Sequence, residues 1–210
     1  MNTLASLLIA YLLGSIPTAV WVSRIAKKID IREYGSKNAG LTNVFRVLGW
    51  KPALPVVFVD LCKGMLAPYI AMRLAPEHAW LPLVAGLLAI VGHSFTCMAG
   101  FRGGKGVLTA MGVFSTLSPI AALLSFAVWI LTTVSTGFVS LASILGCLTL
   151  VILLSFGYLL PGSFVGNVNL GLLLTGTAVA VFVIVKHKAN IKRLMNGTEN
   201  GFKKRKEASK

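Results

Sequence analysis

The chain of 210 residues is 56% hydrophobic and only 12% charged, with a mean hydropathy of +0.81. This composition excludes an ordinary soluble domain and predicts an integral membrane protein. Lys and Arg outnumber Asp and Glu by 20 to 6, a formal net charge of +14 that a nucleic-acid-binding protein could share, but the hydropathy excludes that class.

Apolar runs predict membrane-spanning helices, each of which needs about 20 residues. The predicted spans are residues 4–25, 52–74, 81–99, 107–117, 119–134, 138–160 and 170–185. The first lacks the cationic segment and cleavage site of a signal peptide, so we expect it to be retained. Its GSIPT sequence predicts a kink. Ser118 and Pro119 predict the break after the fourth span, because proline ends the preceding helix.

The cations between the spans predict the orientation of the chain. Residues 24–51 carry seven Lys or Arg against two acidic residues, which predicts a cytoplasmic segment and an N-terminus outside. The basic run after residue 185 is also predicted to be cytoplasmic, so seven crossings are required. The 11-residue fourth span covers only about half of the membrane core. We therefore expect an all-α integral membrane protein of about seven transmembrane helices.

Residues 1–200 are predicted to form a single polytopic membrane domain. Residues 201–210 are predicted to form a basic cytoplasmic tail, whose cations are Lys203, Lys204, Arg205 and Lys206. Three separate cysteines, Cys62, Cys97 and Cys147, have neither disulfide nor zinc-site spacing, and we expect them to pack in the core.

The stretch FRGGKGVL, residues 101–108, places three glycines and two cations between apolar spans. Glycines allow backbone N–H groups to approach a ligand, and a helix that begins there adds partial positive charge. The stretch does not match a nucleotide-binding P-loop. It therefore predicts a phosphate site of another kind at Gly103, Gly104, Lys105 and Gly106.

A second polar block, YGSKNAGLTNVFR, covers residues 34–46. Its hydroxyl, amide and guanidinium donors are dense for a simple loop and favour anion binding. These donors are Ser36, Asn38, Thr42, Asn43 and Arg46. The alternative is a solvated loop in which Ser36 or Asn38 caps a helix over residues 41–48.

The third block, KHKANIKRLMNGTE, covers residues 186–199 and contains His187, Asn190 and Glu199. Within the second span, Asp60 and Lys63 are three residues apart and are predicted to pair on one helix face. Buried ionisable groups in a membrane favour a functional role, with a structural pair as the alternative. Ser15 and His93 are further candidates for site support, and an interhelical hydrogen bond is the alternative for His93.

Several enzyme classes are excluded by missing residues. One carboxylate within the spans cannot build an acidic two-metal site. The acyltransferase pattern of His, four residues and Asp is absent, as are a Gly-x-Ser-x-Gly elbow and a catalytic cysteine signature. An enzyme of this sequence must use phosphate-binding donors and an already activated substrate. The competing class is a transporter or channel for a small phosphorylated anion, but the sequence shows no repeat.

Five blocks in chain order are GSIPT from Gly14, GSKNAGLTNVFR from Gly35, VDLCKG from Val59, GHSFTCMAGFRGGKGVLTAMG from Gly92 and HKANIKRLMNGTE from His187. Together they resemble the bacterial acyl-phosphate:glycerol-3-phosphate acyltransferase family, PlsY. Each motif is modest, but five in order across nearly the whole chain are specific. Two positions depart from the family pattern: Lys37 replaces a glycine, and Thr96 stands where proline is usual.

The resemblance implies a seven-helix enzyme of the bacterial inner membrane with its site facing the cytoplasm. It implies transfer of a fatty acyl group from acyl phosphate to position 1 of sn-glycerol 3-phosphate, which yields lysophosphatidate and phosphate in phospholipid synthesis. It implies no metal, no other cofactor and no acyl-CoA. The expected partners are the two substrates, membrane lipids and, as a candidate, a soluble acyl-phosphate synthase.

On this basis we expect His187, Lys105 and Ser36 to be catalytic. The residues expected to bind substrate are Asn38, Thr42, Asn43, Arg46, Gly103, Gly104, Gly106 and Asn190. The residues expected to support the site are Ser15, Asp60, Lys63, His93 and Glu199. Two alternatives stay open: which phosphate pocket serves which substrate, and whether His187 or the departing phosphate accepts the hydroxyl proton.

Overall fold

A computed structural model describes residues 2–201, which form ten α-helices and two short 3-10 turns and contain no strand. The helices are α1 (Asn2–Gly14), α2 (Thr18–Lys27), α3 (Leu41–Leu48), α4 (Trp50–Leu74), α5 (Leu81–Ser94), α6 (Val107–Leu117), α7 (Pro119–Thr136), α8 (Val139–Leu159), α9 (Leu170–Lys186) and α10 (Lys188–Met195). The turns cover Ile31–Glu33 and Cys97–Ala99. The all-α prediction is confirmed, whereas the tail cations at residues 203–206 lie outside the described residues.

Within residues 2–201, five segments are long and apolar enough to cross a membrane: Asn2–Lys27, Trp50–Leu74, Leu81–Ala99, Pro119–Thr136 and Val139–Leu159. Helices α9 and α10 together form a sixth candidate, bent by 60° at their junction. Helix α6 is apolar but has only 11 residues. The total of seven crossings and the outside position of the N-terminus stay predictions.

The first span is broken between α1 and α2, as the GSIPT sequence predicts. Pro17 precedes α2 and has no N–H group to donate. The Ile16 carbonyl accepts a hydrogen bond from Lys63 Nζ at 2.9 Å, and the Ser15 carbonyl accepts one from the Thr96 hydroxyl. Side chains from α4 and from the segment after α5 therefore satisfy the backbone at this break.

The break between α6 and α7 is also where the sequence predicts it. Helix α6 ends at Leu117 and α7 begins at Pro119. The Ser118 N–H donates to the Phe114 carbonyl at 2.8 Å, and the Ser115 hydroxyl donates to the Met111 carbonyl at 2.8 Å. These bonds keep the backbone of this short apolar helix paired up to its end.

Helix α6 is held between two packed groups of helices. It approaches α4 so closely that a Cβ added at Gly64 or Gly112 would collide with a backbone carbonyl oxygen of the opposite helix. On its other side, Phe114 packs in an apolar cluster that includes Leu154 of α8 and Val179 of α9. The N-terminus of α6 is therefore fixed relative to α4, α8 and α9.

Two local expectations are wrong. Helix α3 begins after Gly40, so neither Ser36 nor Asn38 caps it. Cys97 is exposed and does not pack in the core, because α5 ends at Ser94 and Cys97 lies in the turn that follows.

Candidate active site

A cavity of about 490 Å³ lies where the segment before α3, the segment before α6 and the α9–α10 junction meet. Most of the predicted site residues line it: Ser36, Asn38, Thr42, Asn43, Arg46, Asp60, His93, Lys105, Gly106, His187, Asn190 and Glu199. Four predicted residues do not line it, namely Ser15, Lys63, Gly103 and Gly104. The fold therefore gathers the three polar blocks of the sequence around a single cavity.

Asn43 of α3 organises the loop that forms one wall of the cavity. Its buried Nδ2 group lies within hydrogen-bonding distance of the carbonyl oxygens of Ile31, Tyr34 and Asn38, at 3.0, 3.0 and 3.1 Å. Its Oδ1 accepts a hydrogen bond from the Ser36 N–H at 2.9 Å. Both polar atoms of this amide thus have partners within the protein, so Asn43 shapes the loop; direct contact of Asn43 with substrate stays a prediction.

The side chains of Ser36, Asn38 and Thr42 line the cavity and make no hydrogen bond within residues 2–201. They are free to donate to a ligand. Lys37, between the first two, has a φ of 58°, in the left-handed region that glycine adopts without strain. The lysine thus keeps the backbone conformation that the usual glycine would take.

Lys105 begins a chain of polar contacts that crosses the cavity. Its ammonium donates to Asn190 Oδ1 of α10. Asn190 Nδ2 donates to Glu199 Oε1 at 2.7 Å, and that oxygen also accepts from the Ser140 hydroxyl of α8 at 2.9 Å. Arg193 Nε donates to Glu199 Oε2 at 2.8 Å. The Glu199 carboxylate therefore joins α8 and α10 and orients the amide that meets Lys105.

Gly103 and Gly104 do not offer their N–H groups to a ligand. The Gly103 N–H donates to the Ser94 carbonyl and the Gly104 N–H to the His93 carbonyl, both at 3.1 Å. A Cβ at either position would collide with His93. This corrects the expectation of phosphate binding at these two amides: their glycines allow close packing on the end of α5.

Gly106 and the first turn of α6 do reach the cavity. Gly106, Val107 and Leu108 line it, and Gly106 has a φ of 83° that favours glycine. The first N–H groups of a helix have no partner within the helix and carry partial positive charge. Together with the neighbouring Lys105, this helix start has the charge and the N–H donors that suit an anion.

His187 lies at the junction of α9 and α10, is buried, and lines the cavity. Its Nδ1 is 2.8 Å from the Val183 carbonyl oxygen. Because a carbonyl oxygen can only accept, Nδ1 carries the hydrogen in this arrangement and Nε2 has a free lone pair. The geometry therefore gives His187 one atom that can accept a proton or a hydrogen bond.

Asp60 and Lys63 form the ion pair that their spacing predicts, with Oδ1 and Nζ 2.8 Å apart and side chains 3% and 2% exposed. Asp60 Oδ1 also accepts from the Thr18 hydroxyl at 3.1 Å, and His93 Nδ1 lies 3.7 Å from it. The Ser15 hydroxyl has no partner within the described residues. This network links α2, α4 and α5, and it reaches the cavity wall through Asp60 and His93.

The cavity carries an excess of positive charge. Five cationic side chains line it, Lys37, Arg46, Lys105, Lys186 and Arg193, against the two carboxylates Asp60 and Glu199. Both carboxylates are already paired with cations, Asp60 with Lys63 and Glu199 with Arg193. An anionic ligand therefore enters a cationic environment.

Burial lowers the pKa of Lys105 from 10.5 to about 8; Glu199 opposes this shift, and Arg193 and Arg46 add to it. Burial also lowers the pKa of Arg46. Arg46 Nη2 donates to the Asn200 carbonyl at 2.9 Å, while its Nε is buried without a partner in residues 2–201. For Glu199, burial raises the pKa, but hydrogen bonds from Asn190, Ser140 and Arg193 together lower it.

The rest of the cavity wall is apolar. It is formed by Val57 of α4, Leu108 and Met111 of α6, Phe126 and Trp129 of α7, and Val139 of α8. Trp129 Nε1 donates to the Ser143 hydroxyl at 3.3 Å, so the indole is paired although its neighbours are hydrocarbon. The cavity thus joins a cationic polar end to an apolar wall.

Sequence reasoning missed five polar residues of this cavity: Lys37, Ser140, Ser143, Lys186 and Arg193. The sequence could have indicated Arg193, because it follows the predicted site residue Asn190 by three residues and so lies on the same helix face. Lys186 stands next to His187, and its ammonium lies 4.0 Å from the ring centroid of Phe95. The two serines of α8 had no local signal, because nothing in an apolar run shows which face meets a cavity.

A family model described as "Glycerol-3-phosphate acyltransferase" matches residues 4–197. A glycerol-3-phosphate acyltransferase of Chlorobaculum parvum is 42% identical over 223 residues, with 95% of this chain and 96% of the relative covered. Another, of Fusobacterium nucleatum, is 41% identical over 198 residues, with 94% and 96% covered.

The fold is similar to the crystal structure of PlsY (YgiH), an integral membrane glycerol 3-phosphate acyltransferase, in its glycerol 3-phosphate form. The TM-score is 0.86 at 35% identity, covering 97% of this chain and 96% of that one. The lysophosphatidic acid form gives a TM-score of 0.84 at 34% identity, covering 96% and 95%.

Proposed function

The chain belongs to the glycerol-3-phosphate acyltransferase family, and we propose that it takes its acyl group from an acyl phosphate. The reaction would place this group on position 1 of sn-glycerol 3-phosphate and release lysophosphatidate and inorganic phosphate. The observation that carries this proposal is a cavity of about 490 Å³ that joins a cationic end to an apolar wall. Both substrates carry phosphate, and one also carries a long hydrocarbon chain. Membership of the family also decides against the transporter alternative.

The cationic end offers two groups of phosphate ligands. Lys105 and the first turn of α6 form one, and Arg46 with the free donors of Ser36, Asn38 and Thr42 forms the other. Two phosphates bound side by side would bring the glycerol hydroxyl to the acyl carbonyl carbon, and such positioning lowers the barrier by avoiding entropy loss in the transition state. The variants Lys105→Gln and Arg46→Gln test which substrate binds in which pocket. Each variant should raise the KM of the substrate whose phosphate its residue contacts.

The apolar wall is the proposed place of the acyl chain. Met111, Phe126 and Trp129 line it on α6 and α7, which face each other across the break at Ser118. Burial of the chain there would hold the donor while its phosphate contacts the cations. Replacing Met111 by Trp should shorten the preferred chain, measured by competition between acyl phosphates of different lengths.

The chemical step needs little side-chain chemistry, because acyl phosphate is already activated. The glycerol hydroxyl oxygen bonds to the acyl carbonyl carbon, the bond from that carbon to the bridging phosphate oxygen breaks, and its electron pair leaves with phosphate. The cations neutralise the charge that develops on the leaving group. The hydroxyl proton has two acceptors, the departing phosphate and His187 Nε2.

A histidine substitution separates these two acceptors. If phosphate takes the proton, His187→Ala keeps measurable turnover with a flattened pH profile, because the histidine then only positions the substrate. If His187 is the base, the variant loses turnover at every pH while its thermal unfolding midpoint stays near that of the wild type.

The reaction itself is tested with purified protein in detergent or lipid cubic phase, supplied with palmitoyl phosphate and glycerol 3-phosphate. Lysophosphatidate and phosphate should appear in equal amounts. Parallel samples receive palmitoyl-CoA as the donor or include EDTA, and we expect no turnover in the first and full turnover in the second. Turnover with palmitoyl-CoA alone would contradict the proposed donor.

We further propose that the enzyme lies in the bacterial inner membrane with the cavity facing the cytoplasm. The basic segments on both sides of α3 and in α10 support this orientation through the positive-inside rule. A cysteine introduced at the exposed Lys188 provides the test: a membrane-impermeant maleimide should label it in inverted vesicles and not in intact spheroplasts, with the wild-type chain as the control for its own cysteines. A soluble acyl-phosphate synthase remains the proposed partner of this basic face.

A further inference from the structure

Arg32 connects two loops that are distant in the sequence. It follows α2, and its Nη1 donates to the Ala99 carbonyl at 2.7 Å and lies 3.4 Å from the Arg102 carbonyl. Both carbonyls belong to the loop that leads into Lys105. A guanidinium that bridges two carbonyls of a loop limits the positions that loop can take.

Asp30 fixes the direction of this guanidinium. Its Oδ1 accepts from Arg32 Nε at 2.9 Å and its Oδ2 from Arg32 Nη2 at 2.7 Å, a two-point contact between planar groups. Oδ1 also accepts from the Arg32 N–H at 3.0 Å. The side chains of Arg32 and Asp30 are only 16% and 17% exposed. Nη1 therefore points at the loop before any ligand arrives.

The loop from residue 95 to residue 106 is held on its other side by α5. The amides of Gly103 and Gly104 donate to the carbonyls of Ser94 and His93 at the end of α5, and within the loop the Phe101 N–H donates to the Thr96 carbonyl at 2.8 Å. Phe101 has a φ of 58°, a conformation that costs a non-glycine residue about 1–2 kcal/mol. A loop with this cost needs ties on both sides to stay in place, and Arg32 supplies the outer one.

We propose that Arg32, oriented by Asp30, is a positioning residue that holds Lys105 against its phosphate. Arg32 does not line the cavity, so it acts through the loop and not by touching substrate. The proposal rests on the proposed function of Lys105 as a phosphate ligand. It predicts that loss of Arg32 affects the same substrate as loss of Lys105.

Arg24 is the matched control. Its Nη2 donates to the same Asp30 carboxylate at 3.1 Å, but its side chain is 58% exposed and the structure shows no bond from it to the loop. Arg24→Gln and Arg32→Gln therefore each remove one cation from Asp30, and only the second removes the tie to Ala99 and Arg102. Both variants are assayed as full-length purified enzyme with varied glycerol 3-phosphate and varied palmitoyl phosphate.

We expect Arg32→Gln to raise about tenfold the KM of the substrate whose KM also rises in Lys105→Gln, which corresponds to about 1.4 kcal/mol. The value of kcat should stay within about twofold, because the reacting groups are unchanged once substrate is bound. Arg32→Lys should give a rise of about threefold, since one ammonium cannot serve Asp30 and both carbonyls at once. Arg24→Gln should leave both KM values unchanged.

Equal effects of Arg24→Gln and Arg32→Gln would overturn the proposal, as would a rise in the KM of the other substrate alone. If Arg32→Gln does not fold, as judged by its thermal unfolding midpoint, Arg32→Lys decides: wild-type KM values for both substrates overturn the proposal. Turnover of the wild-type enzyme with palmitoyl phosphate tests the proposed function separately. Failure of the Arg32 proposal can therefore be distinguished from failure of the proposed function.

Discussion

Raising the pH through 8 should weaken the capture of the phosphate that Lys105 is proposed to bind. Burial lowers the pKa of this lysine from 10.5 to about 8, so it loses its proton in the range where an ordinary lysine stays charged. Only the ammonium attracts a phosphate strongly. We therefore expect kcat/KM for the substrate bound there to be level below pH 8 and to fall above it, since kcat/KM reports groups of the free enzyme.

The size of the fall follows from the pKa. At pH 9, one unit above it, about one Lys105 in eleven still carries its proton, so kcat/KM should drop about tenfold. Stability should change in the opposite direction. Because the folded-state pKa lies below the unfolded value, the buried ammonium destabilises the fold below pH 8, and this cost is relieved between pH 8 and 10.5. A loss of activity at pH 9 is therefore not explained by unfolding through this group.

The assay measures initial rates of phosphate release between pH 7 and 9.5, where a phosphate monoester with a second pKa of about 6 is already dianionic. Lys105→Arg is the informative variant, because a guanidinium keeps its charge over the whole range. It should bind more weakly but show no alkaline fall. Lys188→Gln is the control: this lysine is exposed and outside the cavity, so its profile should match the wild type. An alkaline fall that persists unchanged in Lys105→Arg would refute this reasoning.

Glu199→Gln should lower kcat/KM by the equivalent of about 1.5–3 kcal/mol, since it replaces a charged acceptor that orients the Lys105 partner; steady-state kinetics measure this. Lys63→Met should destabilise the protein by about 3–5 kcal/mol by leaving the Asp60 carboxylate buried alone, and adding Asp60→Asn should recover much of it. Thermal unfolding in detergent measures the stability of the single and the double variant. If both lose the same stability relative to the wild type, the paired role of Asp60 and Lys63 is contradicted. Gly104→Ala should abolish turnover, because its Cβ would meet the His93 ring and the Ala39 carbonyl. Gly100→Ala, with open space and a φ of 64°, should cost only about 1–2 kcal/mol in stability, so equal activity of the two variants would contradict the packing argument.

Hydropathy and local breaks predicted the helices well, because a bilayer requires every backbone group to be paired and permits few solutions. The apolar run and its proline predicted the end of α6 at residue 117 and the start of α7 at residue 119. The end of α5 was less predictable. Hydropathy continues to residue 99, but the chain leaves the helix after Ser94 to build the loop that packs under His93.

The candidate site was predictable in its residues more than in their roles. The sequence places Asn43 in a dense polar block and Gly104 in a glycine-rich stretch, but it cannot show whether their polar atoms face a ligand or the protein. The side-chain amide of Asn43 and the backbone N–H of Gly104 both bond to backbone groups of the protein, because buried polar groups need hydrogen-bond partners. The Arg32 bridge is beyond sequence reasoning altogether, because Ala99 is 67 residues away and no local spacing connects them.

The 60° bend between α9 and α10 bears on where each substrate resides during turnover. The bend turns α10 away from the direction of α9, and Asn190 of α10 contacts Lys105 in the cavity that also carries the apolar wall. Under the proposed function, the fatty chain would stay among lipids while glycerol 3-phosphate arrives from water. Extracting a sixteen-carbon chain into water would cost about 12 kcal/mol at about 0.8 kcal/mol per CH₂. The proposed site at the membrane boundary would avoid that transfer, with water-soluble phosphate leaving to one side and lysophosphatidate entering the bilayer on the other.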